Sequence, residues 1–429
     1  MLLRQELEQR WFLYQHSHDE AFGLYEKWGQ TLYLGVDPTA DSLHLGNFVG
    51  FMHAVQWMKR GNKLILIVGG ATGMIGDPGG KDSERSFLDQ ATLDHNVAAI
   101  TTQVSTILQH LTEISGIQFD FEVRNNADFY TWLSYLDFLR QVGKYITVNQ
   151  MMNKETVKKR IEDPEKSISY TEFSYMLLQG YDFLKLYTDF WCKLQISWSD
   201  QWGNVMTGLE LIKRIADGEA YGVTTPLITD STGKKFGKSE GNALWLDPKK
   251  NTPFVIYQYF INTNDDDIEK YFKLLTLAEF ETIENIITKH SEAPEQRIGQ
   301  EFLAHTIVQT VFGADAARQA QLITKTLFGN KDIISEITTW SHDDLLALHQ
   351  AISKKQSAVP CERILEVVVH AGLAESNGQA KELIKSNAIY LNEQLITDMN
   401  YTLTDNDFIQ GNIALLRKGK KAWGSVLKG

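Results

Sequence analysis

Cysteine is nearly absent. Cys192 and Cys361 are the only two in 429 residues, without a CxxC partner or a neighbouring histidine cluster, which excludes a disulfide framework and a thiolate zinc site. Long apolar runs are missing too: no stretch approaches the ~18 uncharged apolar residues of a membrane span. The opening MLLRQELEQRWFLYQHSHDE mixes both charge signs where a signal peptide needs an uninterrupted apolar core. The expectation is a soluble, cytoplasmic protein with no membrane partner and no tightly bound metal. Positive charge is also scarce, since 42 Lys and Arg against 54 Asp and Glu leave a net −12. That argues against a chain coated in nucleic acid and leaves room for a local basic patch. With eight prolines, 43% hydrophobic residues and no low-complexity tract, the composition is that of an ordinary folded protein. At about 100–200 residues per domain the length implies two or three domains.

What is present begins with a nucleotide-binding pattern. Residues 31–38 read as a β-branched and apolar strand, followed by a turn of Pro, Thr, Asp and Ser and a helical run from Leu45 to Arg60 that stops at Gly61. Lys63 to Val68 is a nearly continuous apolar run ending in Gly69 and Gly70, as a parallel strand buried on both faces requires. Strand, helix and strand in that order form the mononucleotide-binding unit of doubly wound folds, which bind ligands at the carboxyl ends of their strands. The pattern returns with a strand over 193–197, a helix over 201–216 and a strand over 223–229. The fold class expected is α/β: a doubly wound, Rossmann-like parallel-sheet catalytic domain over 1–248, followed by an α-helical domain over 249–350. Ser353 to Pro360 (SKKQSAVP) is polar and proline-terminated, so 351–360 reads as a linker. A small α+β module over 361–429 closes the chain.

Two segments carry chemistry in their residue types. After the first strand come Asp37, Pro38 and Thr39, and the next helix opens with His44, Leu45, Gly46 and Asn47. Glycine at a helix start lets a nucleotide approach the backbone, while an imidazole and a hydroxyl beside the helix N-terminus donate to phosphate oxygens. The second segment, Lys234, Lys235, Phe236, Gly237, Lys238 and Ser239, is a cationic loop suited to a pyrophosphate leaving group. A short basic run alone is more often a solvated loop.

Together, HLGN at 44–47 and KFGKS at 235–239 resemble the two signatures of class I aminoacyl-tRNA synthetases. Between and around them YLGVDPTADSLHLGN, VGGATGMIGDPGGKDSER, YTEFSYMLLQGYDFL and SDQWGN resemble stretches of the bacterial-type tyrosyl-tRNA synthetases, over nearly the whole chain. The resemblance implies L-tyrosine, ATP with Mg2+ and tRNA(Tyr) as substrates, and a homodimer. It implies Tyr33 and Asp182 at the substrate phenol, which needs both an acceptor and a donor. Asp77, Tyr175 and Gln179 fall at the ammonium, with Gln201 as a further pocket residue. Tyr175, Gln179 and Asp182 are spaced four and three apart, on one helical face. Asp37, Gly46, Asp200 and Lys238 fall to ATP. Thr39, His44, Asn47, Lys81, Arg85, Lys235 and Lys238 surround the reacting phosphates. Two departures stand out: Asn47 replaces a histidine frequent in the family, and Ser197 and Trp198 replace two glycines that let the ribose approach.

The last module, with CERILEVVVHAGLAESNGQAKELIKSNAIYLN, resembles a small RNA-binding domain. Lys381, Lys385 and Asn387, with Arg417, Lys418, Lys420, Lys421 and Lys428 in a tail free of acidic residues after Ile413, would form a positive patch for tRNA. Rival readings are a tryptophanyl-tRNA synthetase, a catalytically inactive RNA-binding relative, and a nucleotidylyltransferase that acts without tRNA. The phenol pair Tyr33 and Asp182 disfavours the first, and the retained His44 and lysines disfavour the second.

Overall fold

A computed structural model describes residues 1–78, 88–163, 167–234, 236–239, 242–329, 332–353, 358–359, 362–419 and 422–429. The chain divides into two compact units, Met1–Asp247 with Thr263–Leu303, and Pro248–Asn262 with Ala304–Gly429.

The first unit is built on a six-stranded sheet of β1 (Gln15–His16), β2 (Thr31–Val36), β3 (Lys63–Val68), β4 (Phe121–Asn125), β5 (Cys192–Trp198) and β6 (Tyr221–Thr225), in the order β1-β6-β5-β2-β3-β4. All neighbours run parallel except the short edge strand β1 on β6. Five of the six residues of β3 are buried, because helices cover both faces of a parallel sheet and leave no polar side for it to show. From β2 the chain proceeds outward through β3 and β4, then returns to the other flank as β5 and β6. The switch point therefore lies between β2 and β5, where a ligand crevice opens. Register sets Tyr33 beside Ile65 on one side and Gln195 on the other.

The main helices of this unit are α1 (Leu45–Met58), α2 (Gln90–Ser115), α3 (Tyr170–Phe190) and α4 (Trp202–Ala216). Local chemistry starts each of the first three. His44 caps α1; Asp89 caps α2 by accepting from the Thr92 amide at 2.8 Å; and Ser169 forms a capping box with Glu172 at the start of α3. Such caps are worth ~1 kcal/mol each. Helix α3 packs along α4 and lays Phe183, Leu184 and Leu186 into the apolar cluster that also holds Tyr33, Ile65 and Ile67.

Three details depart from the expected elements. The final strand ends at Thr225 and not at 229, because Pro226 follows it and has no N–H for the ladder. Strand β4 lies outside the expected elements because FEVRN is a partly exposed edge strand without an apolar run. The antiparallel β1 is only two residues long.

In the second unit, helices Ala314–Phe328 and His342–Ile352 share an apolar cluster with the terminal sheet. Ile323, Leu327, Trp340, Leu345 and Leu348 pack with Ile409, Ile413 and Leu415. His349 Nδ1 bonds Ser425 Oγ at 2.9 Å, and the Gln410 amide donates to the carbonyls of Ile337 and Trp340. The terminal sheet packs its other side on helices Ile364–His370 and Asn377–Lys385.

Candidate active site

A cavity of about 400 Å3 opens at the carboxyl ends of the parallel strands. Its lining includes Tyr33, Asp77, Tyr175, Gln179, Asp182 and Gln201, expected at the amino acid, and Asp37, Thr39, His44, Gly46, Asn47 and Asp200, expected at ATP and its phosphates. Twelve positions named from the sequence thus share one crevice. Lys81, Arg85, Lys235, Lys420 and Lys421 lie outside the described residues, as does Cys361, and only the backbone of Lys238 is described.

At the deep end, Tyr33 is buried in the middle of β2 with its ring 5.1 Å from Phe183. Its hydroxyl has no hydrogen-bond partner among the described residues. Desolvation pushes its pKa well up, and the Asp182 charge adds to the rise. Asp182 is buried on α3, where it accepts hydrogen bonds from Tyr130 Oη and Asn126 Nδ2, both at 2.8 Å. Burial raises its carboxyl to about 7 against the pull of those two donors. Asn126 also reaches Thr72 Oγ1 at 3.1 Å, and Thr72 donates to Asp37 Oδ1 at 2.8 Å. The other Asp37 oxygen accepts from Tyr175 Oη at 2.9 Å. Asp37, expected at the nucleotide, is thereby bonded to Tyr175 and linked through Thr72 and Asn126 to Asp182, both expected at the amino acid.

A second chain of bonds runs along the opposite wall. Gln201 Nε2 donates to Asp77 Oδ2 at 2.5 Å, while Asn204 Nδ2 donates to both Gln179 Oε1 and Gln201 Oε1 at 3.0 Å. Behind it the Lys154 ammonium bonds the Gly203 carbonyl and Thr207 Oγ1. Burial lowers Lys154 to about 7, and the Asp77 charge opposes that shift. Sequence reasoning passed over Thr72, Asn126, Tyr130, Lys154 and Asn204. Asn126 had a usable signal, a polar pair following a strand at its carboxyl end, had β4 been recognised.

At the start of α1, His44 Nδ1 accepts from the Asn47 amide at 3.1 Å, and the Asn47 side-chain oxygen accepts from the His44 amide at 3.2 Å. This reciprocal box assigns the imidazole proton to Nε2. It also gives Asn47 a structural task that a cationic histidine would not share. Gly46 is required here, since a Cβ would stand 2.9 Å from His44 Cε1. The two signature segments meet. The Leu45 amide donates to the Leu244 carbonyl at 2.9 Å, Leu246 donates to Leu43 at 2.8 Å, and Gly237, at φ +74°, lies so close to α1 that a Cβ would come 2.8 Å from that of Leu45. Ser197 Oγ and Gln195 Oε1 line the cavity, buried and without partners among the described residues. Polar groups of that kind await a ligand or water.

The basic positions of the terminal module are partly compensated. Arg417 makes a two-pronged pair with Glu393 at 2.7 and 2.8 Å and stacks 4.1 Å over Tyr390. Lys385 pairs with Glu382 at 2.9 Å, and Lys428 with Asp405 at 2.6 Å. Lys381 is exposed and Lys418 half-buried. Among the described residues no group of three or more His, Cys, Asp or Glu could hold a metal, and no helix is long and apolar enough to cross a membrane.

Comparison with known proteins agrees with this geometry. Residues 29–329 match the family of class I tRNA synthetases (W and Y), and residues 347–426 match the tyrosine–tRNA ligase SYY-like C-terminal domain. The chain is 43% identical over 430 residues to tyrosine–tRNA ligase 1 of Streptococcus thermophilus, covering 98% of each, and 42% identical over 433 residues to that of Streptococcus suis, covering both in full. Its structure resembles a C-terminally truncated mitochondrial tyrosyl-tRNA synthetase of Aspergillus nidulans with a TM-score of 0.69 and 28% identity, over 76% of this chain and 94% of that one. The α/β sheet, the crevice at its switch point and these relatives agree: the chain belongs to the tyrosine–tRNA ligases of class I.

Proposed function

We propose that the crevice binds L-tyrosine and ATP, joins them as tyrosyl-adenylate with release of pyrophosphate, and passes the tyrosyl group to tRNA(Tyr). The observation that carries the reading is the buried, unpartnered Tyr33 hydroxyl in the same cavity as the buried Asp182 carboxylate. A phenol donating to Asp182 and accepting from Tyr33 satisfies both, whereas a phenylalanine ring satisfies neither. The substrate ammonium is met by Asp77, Gln179 and the Tyr175 phenol oxygen. ATP enters with its Mg2+, the ribose toward Asp200 and the phosphates toward Thr39, His44, Gly46 and Asn47. The tyrosine carboxylate forms a bond to the α-phosphorus, the bond to the bridging oxygen breaks, and pyrophosphate departs with that electron pair. Lys81, Arg85, Lys235 and Lys238 offset its growing charge. A ribose hydroxyl of the tRNA terminus then attacks the tyrosyl carbonyl and AMP leaves. The protein supplies position and electrostatics without a covalent intermediate of its own.

The helical residues 249–350, of which 263–303 belong to the first unit, are assigned to the anticodon, and Lys381, Lys385, Arg417, Lys418, Lys420 and Lys421 to tRNA phosphates. The protein works in the cytoplasm as a homodimer. Support for the dimer is a group of exposed apolar side chains on the catalytic unit, Trp132 at 96%, Leu136 at 70% and Tyr170 at 64% exposure, with Tyr135 Oη 2.8 Å from Tyr170 Oη. Pyrophosphate exchange with each amino acid tests the reading: tyrosine alone should support it. Exchange with tryptophan, equal exchange with phenylalanine, or none at all would overturn it.

A further inference from the structure

Trp198 is the last residue of β5, paired in register with Thr225 at the end of β6, and it lines the cavity. Alternation along the strand sends it to the face opposite Gln195 and Ser197, toward α1. There it meets Gly50, one turn beyond Gly46 and Asn47. A Cβ built on Gly50 would stand 2.8 Å from Trp198 Cε2, 2.9 Å from Cη2 and closer still to Cζ2. Real Cβ atoms do not approach aromatic carbons so closely, so with the indole seated there position 50 has room for glycine only. The backbone is ordered at both ends of this contact: Gly50 is buried in a 14-residue helix, and the main chain of Trp198 is paired in the strand ladder.

The indole therefore forms a fixed wall between the first turn of α1, where His44 and Asn47 stand, and the exit of β6, where Pro226, Leu227 and Ile228 complete the lining. Asp200 follows two residues later on the same wall. We infer that Trp198 is a binding residue for the nucleotide: its half-buried indole packs on the nucleoside of ATP, and Gly50 is the notch that holds it in place. Aromatic faces stack on nucleic-acid bases whatever their hydrogen-bonding edge. A wall of this kind adds affinity for ATP and leaves the phenol end untouched. The inference rests on the assignment of this crevice to tyrosine and ATP.

The test uses the full chain. Wild-type exchange with tyrosine and ATP first establishes the reading on which the inference stands; its failure would concern that reading and not Trp198. Trp198→Ala should then raise the KM for ATP about tenfold, at the lower end of what removal of one base-stacking aromatic costs. Its tyrosine dissociation constant should stay within twofold. Trp198→Phe should recover most of the loss. Gly50→Ala should reproduce the ATP defect in the wild-type background by displacing the indole, and should add nothing in the Trp198→Ala background, because the clash is gone. Thermal unfolding of each variant reports folding separately. An unchanged or lower KM for ATP in Trp198→Ala, equal losses for ATP and tyrosine, or additive effects of the two substitutions would overturn the assignment.

Discussion

The Asn126 amide donates to Asp182 Oδ2 at 2.8 Å across 56 positions of sequence, and the Tyr130 hydroxyl takes the other oxygen at the same distance. These two donors hold the carboxylate in one orientation and leave its remaining lone pairs for a substrate phenol. Asn126→Ala or Tyr130→Phe should weaken tyrosine binding roughly tenfold, the equivalent of about 1.4 kcal/mol for one lost buried donor. The ATP KM should stay within twofold. Equilibrium dialysis of tyrosine with folded variants decides; wild-type affinity would remove both residues from the site.

Asp182 gives the site a pH dependence. Its carboxyl is raised from 3.8 to about 7, chiefly by burial. In the empty protein the native state keeps a proton that the unfolded chain has lost, so this group's contribution to stability is full below about 4 and fades as pH rises through 7. Binding runs the other way. A phenol donating to the carboxylate favours the ionised form, so tyrosine affinity should rise from pH 6 toward pH 8, by up to ~tenfold per unit below 7. Asp182→Asn should bind weakly with a flat profile. A wild-type affinity that is constant over this range would contradict the assignment.

Phenylalanine should be rejected because it leaves the Tyr33 hydroxyl buried and unpaired and offers no donor to the lone pairs that Asp182 keeps beyond its bonds to Asn126 and Tyr130. At about 1–3 kcal/mol for each of the two losses, the exchange rate at low substrate should fall at least ~30-fold. Tyr33→Phe should narrow that ratio mainly by weakening tyrosine. A ratio unchanged in a folded Tyr33→Phe variant would be the contrary result.

Charge on the departing pyrophosphate develops late. Lys81→Ala and Lys238→Ala should therefore lower the single-turnover rate of adenylate formation by roughly 10², the scale for one oriented donor to a developing anion. Tyrosine dissociation constants should hardly move. Loss of binding at an unchanged rate constant would refute the role.

For tRNA, a chain ending at Ser353 would strip Ile409, Ile413 and Leu415 from the core they share with Leu345 and Leu348, so it should lose stability along with charge. Charge removal inside the intact module separates the two. Lys381→Ala combined with Lys418→Ala should leave exchange unchanged and weaken tRNA binding at every sequence, with the salt slope falling by ~0.7–0.9 for each phosphate left without its cation. Binding isotherms at several salt concentrations read this out, and an unchanged slope would place the tRNA elsewhere.

Much of the catalytic unit was legible without coordinates. Residues 63–68 announce a doubly covered parallel strand because burial on both faces demands a continuous apolar run, and the buried pattern of β3 follows it. Tyr175, Gln179 and Asp182 could be placed together because helical spacing is a local property, and all three reach the cavity. What local pattern does not encode is which distant segment meets which. Strand β4 is an edge with a mixed side-chain pattern, so nothing nearby announces that its exit delivers Asn126 to Asp182. The charge of Arg417 is plain in the sequence, but its cancellation by Glu393, 24 residues earlier, depends on neighbouring strands of one sheet. The same limit governs Trp198 and Gly50. Composition supplies a bulky side chain and a bare backbone position; only the packing of β5 on α1 decides that the second exists to seat the first, since steric exclusion acts between surfaces the chain brings together after it has folded.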